Sequence, residues 1–151
     1  MTAEDGVREA ARVLLLDPAG RILLLQGLDP DDPHARTWWF TPGGGLEGDE
    51  SPADAARREV HEETGAALGA LEGPVWERTS KFDFGGTHYH QHEVYFVARV
   101  EPFALAPGAR TALEVRALTD ARWWSLEELE ATAETVYPEN LTDLLRTALS
   151  G

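Results

Sequence analysis

Three glutamates stand close together near the middle of the chain, at Glu59, Glu62 and Glu63. Spacings of three and four residues place their carboxylates on one side of a helix, where they repel one another. No cationic residue in the segment is spaced to relieve all three, but Mg²⁺ or Mn²⁺ would do so, since both prefer oxygen ligands. The spacing therefore predicts a metal and phosphate site, and an acidic solvated helix face is the alternative.

The helix that must carry these glutamates has clear start and stop signals. Ser51 can cap it, Pro52 suits its first position, and Asp54 has capping-box spacing. Gly65 can close the helix in the left-handed conformation. The pattern predicts a helix over residues 52–64, with an apolar side formed by Ala53, Ala56 and Val60.

A glycine segment precedes this helix. Residues 42–45 read Pro-Gly-Gly-Gly, and the glycines allow backbone conformations that are closed to other residues. A short strand over residues 38–41 leads into the segment, after an exposed loop predicted for residues 28–36 from their aspartates and prolines. We expect the glycine loop and the helix to form the site together.

The other elements read as strands and two further helices. Residues 10–16 and 21–26 flank a turn signal, which favours a hairpin, although their leucines leave a helix as the alternative. Residues 75–84 and 88–100 flank Gly85-Gly86 in a second hairpin pattern. The remaining sequence predicts, in order, a loop over residues 101–119 that has room for one strand, a strand over residues 122–124, a helix capped by Ser125, and a helix capped by Asn140 with a leucine stripe.

The composition favours one soluble domain spanning residues 1–151. Hydrophobic residues make up 42% of the chain, which is enough to bury a core. The formal net charge of -14 argues against duplex nucleic acid as a partner, and the lack of cysteine excludes thiolate chemistry. The acidic start and the lack of an apolar run of about 20 residues predict a cytoplasmic protein with no membrane partner.

A longer pattern surrounds the glutamates. From Gly44 the chain reads five residues, Glu50, seven residues, Arg58-Glu59-Val60, one residue, Glu62-Glu63, one residue and Gly65. This pattern resembles the signature of the Nudix (MutT-like) hydrolases, except that Ala66 stands where the family has a bulkier aliphatic residue. Residues 123–129, Trp-Trp-Ser-Leu-Glu-Glu-Leu, are also similar to the family. The resemblance implies an α/β (α+β) fold, an α/β/α sandwich with a mixed β-sheet between helices.

The resemblance also implies an activity. Nudix enzymes hydrolyse the pyrophosphate of a nucleoside diphosphate linked to another group, by attack of water on phosphorus with Mg²⁺ or Mn²⁺ present. The implied partner is a small nucleotide derivative, and homodimers are frequent in the family. A binding or regulatory module with the same fold and no turnover is the alternative. His88, His90 and His92 alternate and can share one strand face, which leaves a histidine-based zinc protein as a third hypothesis.

Carried onto this chain, the resemblance assigns roles to residues of the signature. The implied metal ligands are the carbonyl of Gly43 and the carboxylates of Glu59, Glu62 and Glu63. The implied catalytic residues include a glutamate that acts as base towards water and an arginine that orients the acidic cluster: Glu59, Glu62 and Arg58. Structural roles within the motif fall to Gly44, Glu50 and Gly65.

The candidate residues for substrate contacts lie outside the signature. Trp39 precedes the glycine segment, where it can stack on a base or pack in the core. Arg36 and Lys81, together with Arg78, can meet substrate phosphates. Glu114 is a candidate for a further carboxylate at the site, and the other candidates are Glu93, Glu101 and Asp120.

Overall fold

The structure is a computed structural model, and it describes residues 7–29, 31–84, 86–101 and 118–150. The strands are β1 (Val7–Leu16), β2 (Ile22–Leu28), β3 (Thr37–Phe40), β4 (Gly43–Gly45), β5 (Glu72–Phe84), β6 (Thr87–Arg99), β7 (Leu118–Trp124) and β8 (Val136–Tyr137). The helices are α1 (Pro52–Thr64), α2 (Leu126–Ala131) and α3 (Leu141–Ser150).

The described strands form one mixed sheet with β1 near its centre. Its main path runs β5-β6-β1-β2-β3-β8, while β4 pairs with β1 and β7 pairs with β2. The β1–β6 and β3–β8 pairs are parallel, and the other pairs are antiparallel. Both predicted hairpins, β1–β2 and β5–β6, are confirmed, so the leucine-rich runs are strands and not helices.

Apolar side chains leave the sheet on both faces, because neighbouring residues of a strand point to opposite sides. On one face α1 covers a cluster that includes Ala11, Val13, Leu15, Ala56 and Val60. On the other face α2 and α3 cover a second cluster that includes Leu14, Leu16, Trp124, Leu129 and Leu145. This arrangement confirms the predicted sandwich of helices around a mixed sheet.

The helix ends follow the local signals of the sequence. The Ser51 hydroxyl accepts from the Asp54 N–H at 3.1 Å, and Gly65 closes α1 with φ 84° and an N–H bond to the His61 carbonyl. The capping box predicted at Ser125 is present at α2. In α3 the leucine stripe is buried at Leu141 and Leu145, but Leu149 at the end of the helix is 39% exposed.

Two features differ from the expectations. The glycine segment is a short strand, β4, and not a loop, because residues 43–45 pair with residues 10–12 of β1. Strand β8 has no counterpart among the predicted elements. Residues 102–117 of the predicted loop lie outside the described residues.

In the part of the chain that the structure describes, no helix is both long and apolar enough to cross a membrane.

Candidate active site

Strand β4 fits between β1 and α1 because its residues have no side chains. Gly43 has φ 140°, and a Cβ atom there would overlap the backbone carbonyl oxygen of Ala11. A Cβ atom at Gly44 would lie 2.6 Å from the carboxyl carbon of Glu59. The contact at Gly43 is with backbone, so this position requires glycine, whereas a side chain at position 44 would displace the Glu59 carboxylate. The glycines thus bring the backbone of β4 directly against the acidic side of α1.

The peptide groups of Gly43 are held from two directions. Its N–H donates to Glu63 Oε1 at 2.9 Å, a buried bond that ties α1 to β4. Its carbonyl accepts from Arg12 Nη1 at 3.0 Å. Glu63 is only 5% exposed, so this bond satisfies a carboxylate that would otherwise be costly to bury. The predicted ligand carbonyl of Gly43 therefore already has one cationic neighbour.

Arg58 links the acidic cluster to the glycine strand. Its Nε and Nη2 donate to the two oxygens of Glu50 at 2.8 Å and 3.0 Å, and Nη2 also donates to the Gly45 carbonyl at 2.9 Å. These hydrogen bonds from Arg58 are the main reason that the pKa of Glu50 lies below its ordinary value. The fork geometry holds the guanidinium in one orientation. Arg58 is thus fixed in a position from which it can orient the carboxylates of the cluster.

The remaining nitrogen of Arg58 is shared among further carboxylates. Nη1 lies 3.1 Å from Glu59 Oε2, 3.4 Å from Glu62 Oε1 and 3.6 Å from Glu47 Oε2. With Glu50, four carboxylates therefore surround one guanidinium. Arg58 relieves two of the three helix glutamates, and the third, Glu63, is held by the Gly43 N–H. Negative charge is left in excess on this side of β4.

The donor set suits a hard cation by charge and by element, because it consists of carboxylate oxygens on one helix side. Within the described ranges, however, no three His, Asp or Glu side chains stand close enough together to hold a metal ion as they are. Arg58 and the Gly43 N–H each engage carboxylate oxygens there. Among the three helix glutamates, the longest of these contacts is to Glu62, whose side chain is 26% exposed.

The structure does not bring Trp39 to an open surface. Its side chain is 4% exposed in the core under α3, with an edge-to-face contact to Trp124 at 5.2 Å. Its Nε1 donates to Glu134 Oε1 at 2.9 Å. Core packing, the alternative weighed for Trp39, therefore describes its position, and base stacking at this residue is not supported.

The two predicted phosphate contacts Arg36 and Lys81 also lie away from the glutamates. Arg36 donates to Asp32 in its own loop at 2.9 Å, and its side chain is 74% exposed. Lys81 is an exposed residue of β5, paired with His90. The described contacts join neither residue to α1. Glu114 lies outside the described residues.

Two of the alternating histidines, His88 and His92, pair with carboxylates. His92 lies between Glu9 and Glu77, with 2.7 Å from Nδ1 to one and 2.7 Å from Nε2 to the other. Hydrogen bonds to Glu9 and then to Glu77 raise the pKa of His92 above its ordinary value. His88 contacts Asp83 at 2.6 Å. His88 and His92 on β6 therefore link that strand to its neighbours through separate carboxylate pairs.

A second charged group lies beside Gly43 on the other face of the sheet. It consists of Arg12, Arg78 and Glu93, which we call the arginine cluster. Glu93 is 2% exposed and accepts from Arg12 Nε at 3.0 Å and from Arg78 Nε at 2.8 Å. Since both arginines already contact it, Glu93 is a poor candidate for the further metal carboxylate. Sequence reasoning did not single out Arg12, although a charged residue inside the apolar run over residues 10–16 was a usable signal.

The structure thus belongs to the class of α/β/α sandwiches with a mixed sheet between helices, here with an acidic helix anchored on a glycine strand. Residues 6–145 match the family model described as the NUDIX domain, and the chain belongs to the NUDIX family. The resemblance predicted from the signature is thereby confirmed.

Curated relatives match part of the chain. An RNA pyrophosphohydrolase of Acidiphilium cryptum is 37% identical over 93 residues, which cover 56% of this chain and 56% of that protein. An RNA pyrophosphohydrolase of Pseudomonas putida is 37% identical over 65 residues, covering 43% of this chain and 37% of that protein. The matches thus span little more than half of the first relative and a smaller share of the second.

Solved structures show the same fold over nearly the whole chain. A MutT protein of Methanosarcina mazei has a TM-score of 0.64 at 23% identity, covering 93% of this chain and 91% of that chain. The NUDIX domain of Shewanella oneidensis NrtR, complexed with ADP ribose, has a TM-score of 0.67 at 17% identity, covering 95% and 88%. A C. elegans Ap4A hydrolase has a TM-score of 0.64 at 22% identity, covering 95% and 96%.

Proposed function

We propose that this protein is a divalent-cation-dependent hydrolase that cleaves the pyrophosphate linkage of a nucleoside diphosphate derivative by attack of water on phosphorus. The observation that carries the proposal is the excess of carboxylates where α1 meets β4. Four of them share Arg58, and Glu63 is buried against the Gly43 N–H. Glu59 and Glu63 are buried, and burying carboxylates around too few cations is costly unless a ligand supplies positive charge.

The cation would be Mg²⁺ or Mn²⁺. Members of the NUDIX family generally use divalent metal ions. In this chain the ligands would be Glu59, Glu62 and Glu63, with the Gly43 carbonyl as a further oxygen donor. When bound, such a cation neutralises the charge that develops on the phosphate oxygens during attack by water. Glu62, which is half-buried and has a long contact to Arg58, is the helix carboxylate that can move towards a ligand with the least disruption.

The chain's own residues would position the reaction. Glu59 and Glu62 are the candidates for the base that accepts a proton from water, because they belong to the acidic side of α1 and contact Arg58. Arg58 keeps these carboxylates in place through its fork to Glu50. The glycines of β4 let a phosphate group approach the backbone without meeting a side chain.

The names of the relatives indicate a broad substrate class but no single substrate. Those names refer to RNA, ADP ribose and Ap4A, each of which carries phosphate on a nucleoside. The shared chemistry is a nucleoside joined to a chain of phosphates. We propose this shared element as the part that the protein recognises.

A substrate panel tests the proposal directly. ADP ribose, Ap4A, nucleoside triphosphates and 5′-triphosphorylated RNA are incubated separately with the protein in Mg²⁺, in Mn²⁺ and in EDTA, and the released products are identified. We expect at least one compound to be cut at a phosphoanhydride bond in either metal but not in EDTA. Binding without turnover across the panel would instead identify a non-catalytic nucleotide-binding module and overturn the proposal.

A further inference from the structure

The arginine cluster lies on the face of the sheet opposite α1. In the β1–β6 and β5–β6 pairings, Glu93 is directly opposite Ala10 on one side and Arg78 on the other. Residues paired in this way share a face, and Arg12 follows Ala10 by two residues, so it shares that face as well. The covering helices pack further along β1, at Leu14 and Leu16. The cluster therefore occupies the half of this face that lies next to β4.

The cluster has more positive than negative charge. Glu93 also accepts from Gln91 Nε2 at 2.7 Å and from the Tyr95 hydroxyl at 3.0 Å, so one carboxylate receives four donors. Burial acts to raise the pKa of Glu93, but the nearby charges and hydrogen bonds of Arg12 and Arg78 outweigh it and lower the pKa to about 2. Two guanidinium groups and one carboxylate give these three residues a net charge of +1, and the nearby charge of Glu63 also acts on Arg12. This charge is constant near neutral pH.

Arg12 is held in one orientation with part of its guanidinium still available. Nε is bound to Glu93 at 3.0 Å and Nη1 to the Gly43 carbonyl at 3.0 Å. Among the residues that the structure describes, Nη2 has no hydrogen-bond partner. The Arg12 side chain is 16% exposed and that of Arg78 is 25% exposed, so both keep some contact with solvent.

The position of Arg12 connects the cluster to the acidic helix. It contacts the carbonyl of the same glycine whose N–H is bound by Glu63. An anion bound at Arg12 would thus lie beside β4, within reach of the acidic side of α1. In a chain with a net charge of -14, a local excess of guanidinium groups is what attracts a negatively charged ligand to this place.

We propose that Arg12 donates a hydrogen bond to a phosphate oxygen of the substrate, and that Glu93, which Arg78 also contacts, holds Arg12 in position for this contact. The inference rests on the proposed function only in taking a phosphorylated substrate. It assigns phosphate recognition to a residue outside the signature, with Arg12 as a binding residue and Glu93 as a positioning residue.

The test measures anion binding and cation binding separately. Inorganic pyrophosphate is titrated by calorimetry in saturating Mg²⁺ into the wild-type protein, Arg12→Gln, Arg12→Lys and the control Arg99→Gln. Arg99 lies at the far end of β6 and pairs with Glu72, so its loss removes the same charge away from the site. We expect Arg12→Gln to weaken pyrophosphate binding about 10-fold or more, Arg12→Lys to weaken it less, and Arg99→Gln to leave it unchanged.

Mn²⁺ affinity, measured by electron paramagnetic resonance, distinguishes recognition from structural support. Removing a cation near the glutamates should leave Mn²⁺ binding unchanged or tighter, since like charges repel. A loss of both Mn²⁺ and pyrophosphate binding in Arg12→Gln would show that Arg12 only supports the fold of the site, and the inference would be wrong. Unchanged pyrophosphate affinity in Arg12→Gln and Arg12→Lys would overturn it as well.

The outcomes separate this inference from the proposed function. If pyrophosphate binding depends on Arg12 but no panel compound is hydrolysed, the proposed function fails and the inference stands. If panel compounds are hydrolysed and Arg12→Gln keeps the wild-type KM and pyrophosphate affinity, the inference fails and the proposed function stands.

Discussion

Gly43 separates two charged networks with opposite imbalances. On the α1 side, four carboxylates share the guanidinium of Arg58. On the other face, the guanidiniums of Arg12 and Arg78 share the carboxylate of Glu93. The first network has too little positive charge and the second too much.

The difference shows what each side can accept. Buried charges are costly unless they are paired, so an imbalance kept at one peptide is a sign that ligands complete it. A cation would complete the α1 side and an anion the arginine side. A metal-bound diphosphate carries both kinds of charge, and a single glycine residue between the two networks suits such a ligand.

The largest effect should come from removing charge on the α1 side. Glu62→Gln and Glu63→Gln each keep the shape of the side chain, and the amide oxygen introduced by Glu63→Gln can still accept from the Gly43 N–H. We expect kcat to fall about 100- to 1,000-fold in each variant, because a proposed metal ligand would lose its charge. Steady-state kinetics in Mg²⁺ on a panel substrate measure this, and circular dichroism checks that the fold is kept. Wild-type rates in both variants would contradict the assignment.

A methyl group between β4 and α1 should have a smaller effect. In Gly44→Ala the new Cβ atom would lie 2.6 Å from the Glu59 carboxyl carbon and displace it. We expect kcat to fall about 10- to 100-fold, since small displacements of reacting groups are costly, with a stability loss of about 1–3 kcal/mol.

Gly69→Ala is the matched control for this substitution. Gly69 is exposed, and nothing lies within 4 Å of a Cβ atom built there. Its kcat should equal that of the wild type, and its unfolding free energy should be equal or slightly higher. Equal kinetics for Gly44→Ala and Gly69→Ala would show that the position of Glu59 does not matter for turnover.

The smallest effect concerns the stability of the arginine cluster at low pH. The pKa of Glu93 is lowered from 4.5 to about 2 in the folded protein, so its ionised form stabilises the fold above pH 4.5. This contribution is lost as the pH falls towards 2. We expect the difference in unfolding free energy between wild type and Glu93→Gln to shrink by about 1–3 kcal/mol between pH 5 and pH 2. Urea unfolding at several pH values measures it, and a constant difference would rule out this role for Glu93.

The acidic helix could be predicted from the sequence because its signals are local. Ser51 and Gly65 lie at its ends and make their capping contacts within a few residues. The i, i+3 and i+4 spacing also places Glu59, Glu62 and Glu63 on one side without knowledge of the rest of the fold. The same is true of the capping box at Ser125.

Features that depend on distant contacts could not be predicted in this way. Arg12 and Glu93 are 81 positions apart, and only the parallel pairing of β1 with β6 brings them together. The glycine segment becomes a strand because β1 offers it a partner. Trp39 is a core residue because Trp124 and Glu134 surround it, and no signal near residue 39 distinguishes this from an exposed ring.

The central strand β1 places one demand on the evolution of this protein. It pairs with β6 over its whole length, from Val7 opposite His90 to Leu16 opposite Arg99. Inserting or deleting one residue ahead of Arg12 would turn its guanidinium towards the face that α1 covers. A single substitution in β1 leaves this alternation of faces intact, whereas a change in its length would mix the two charge environments in a single event.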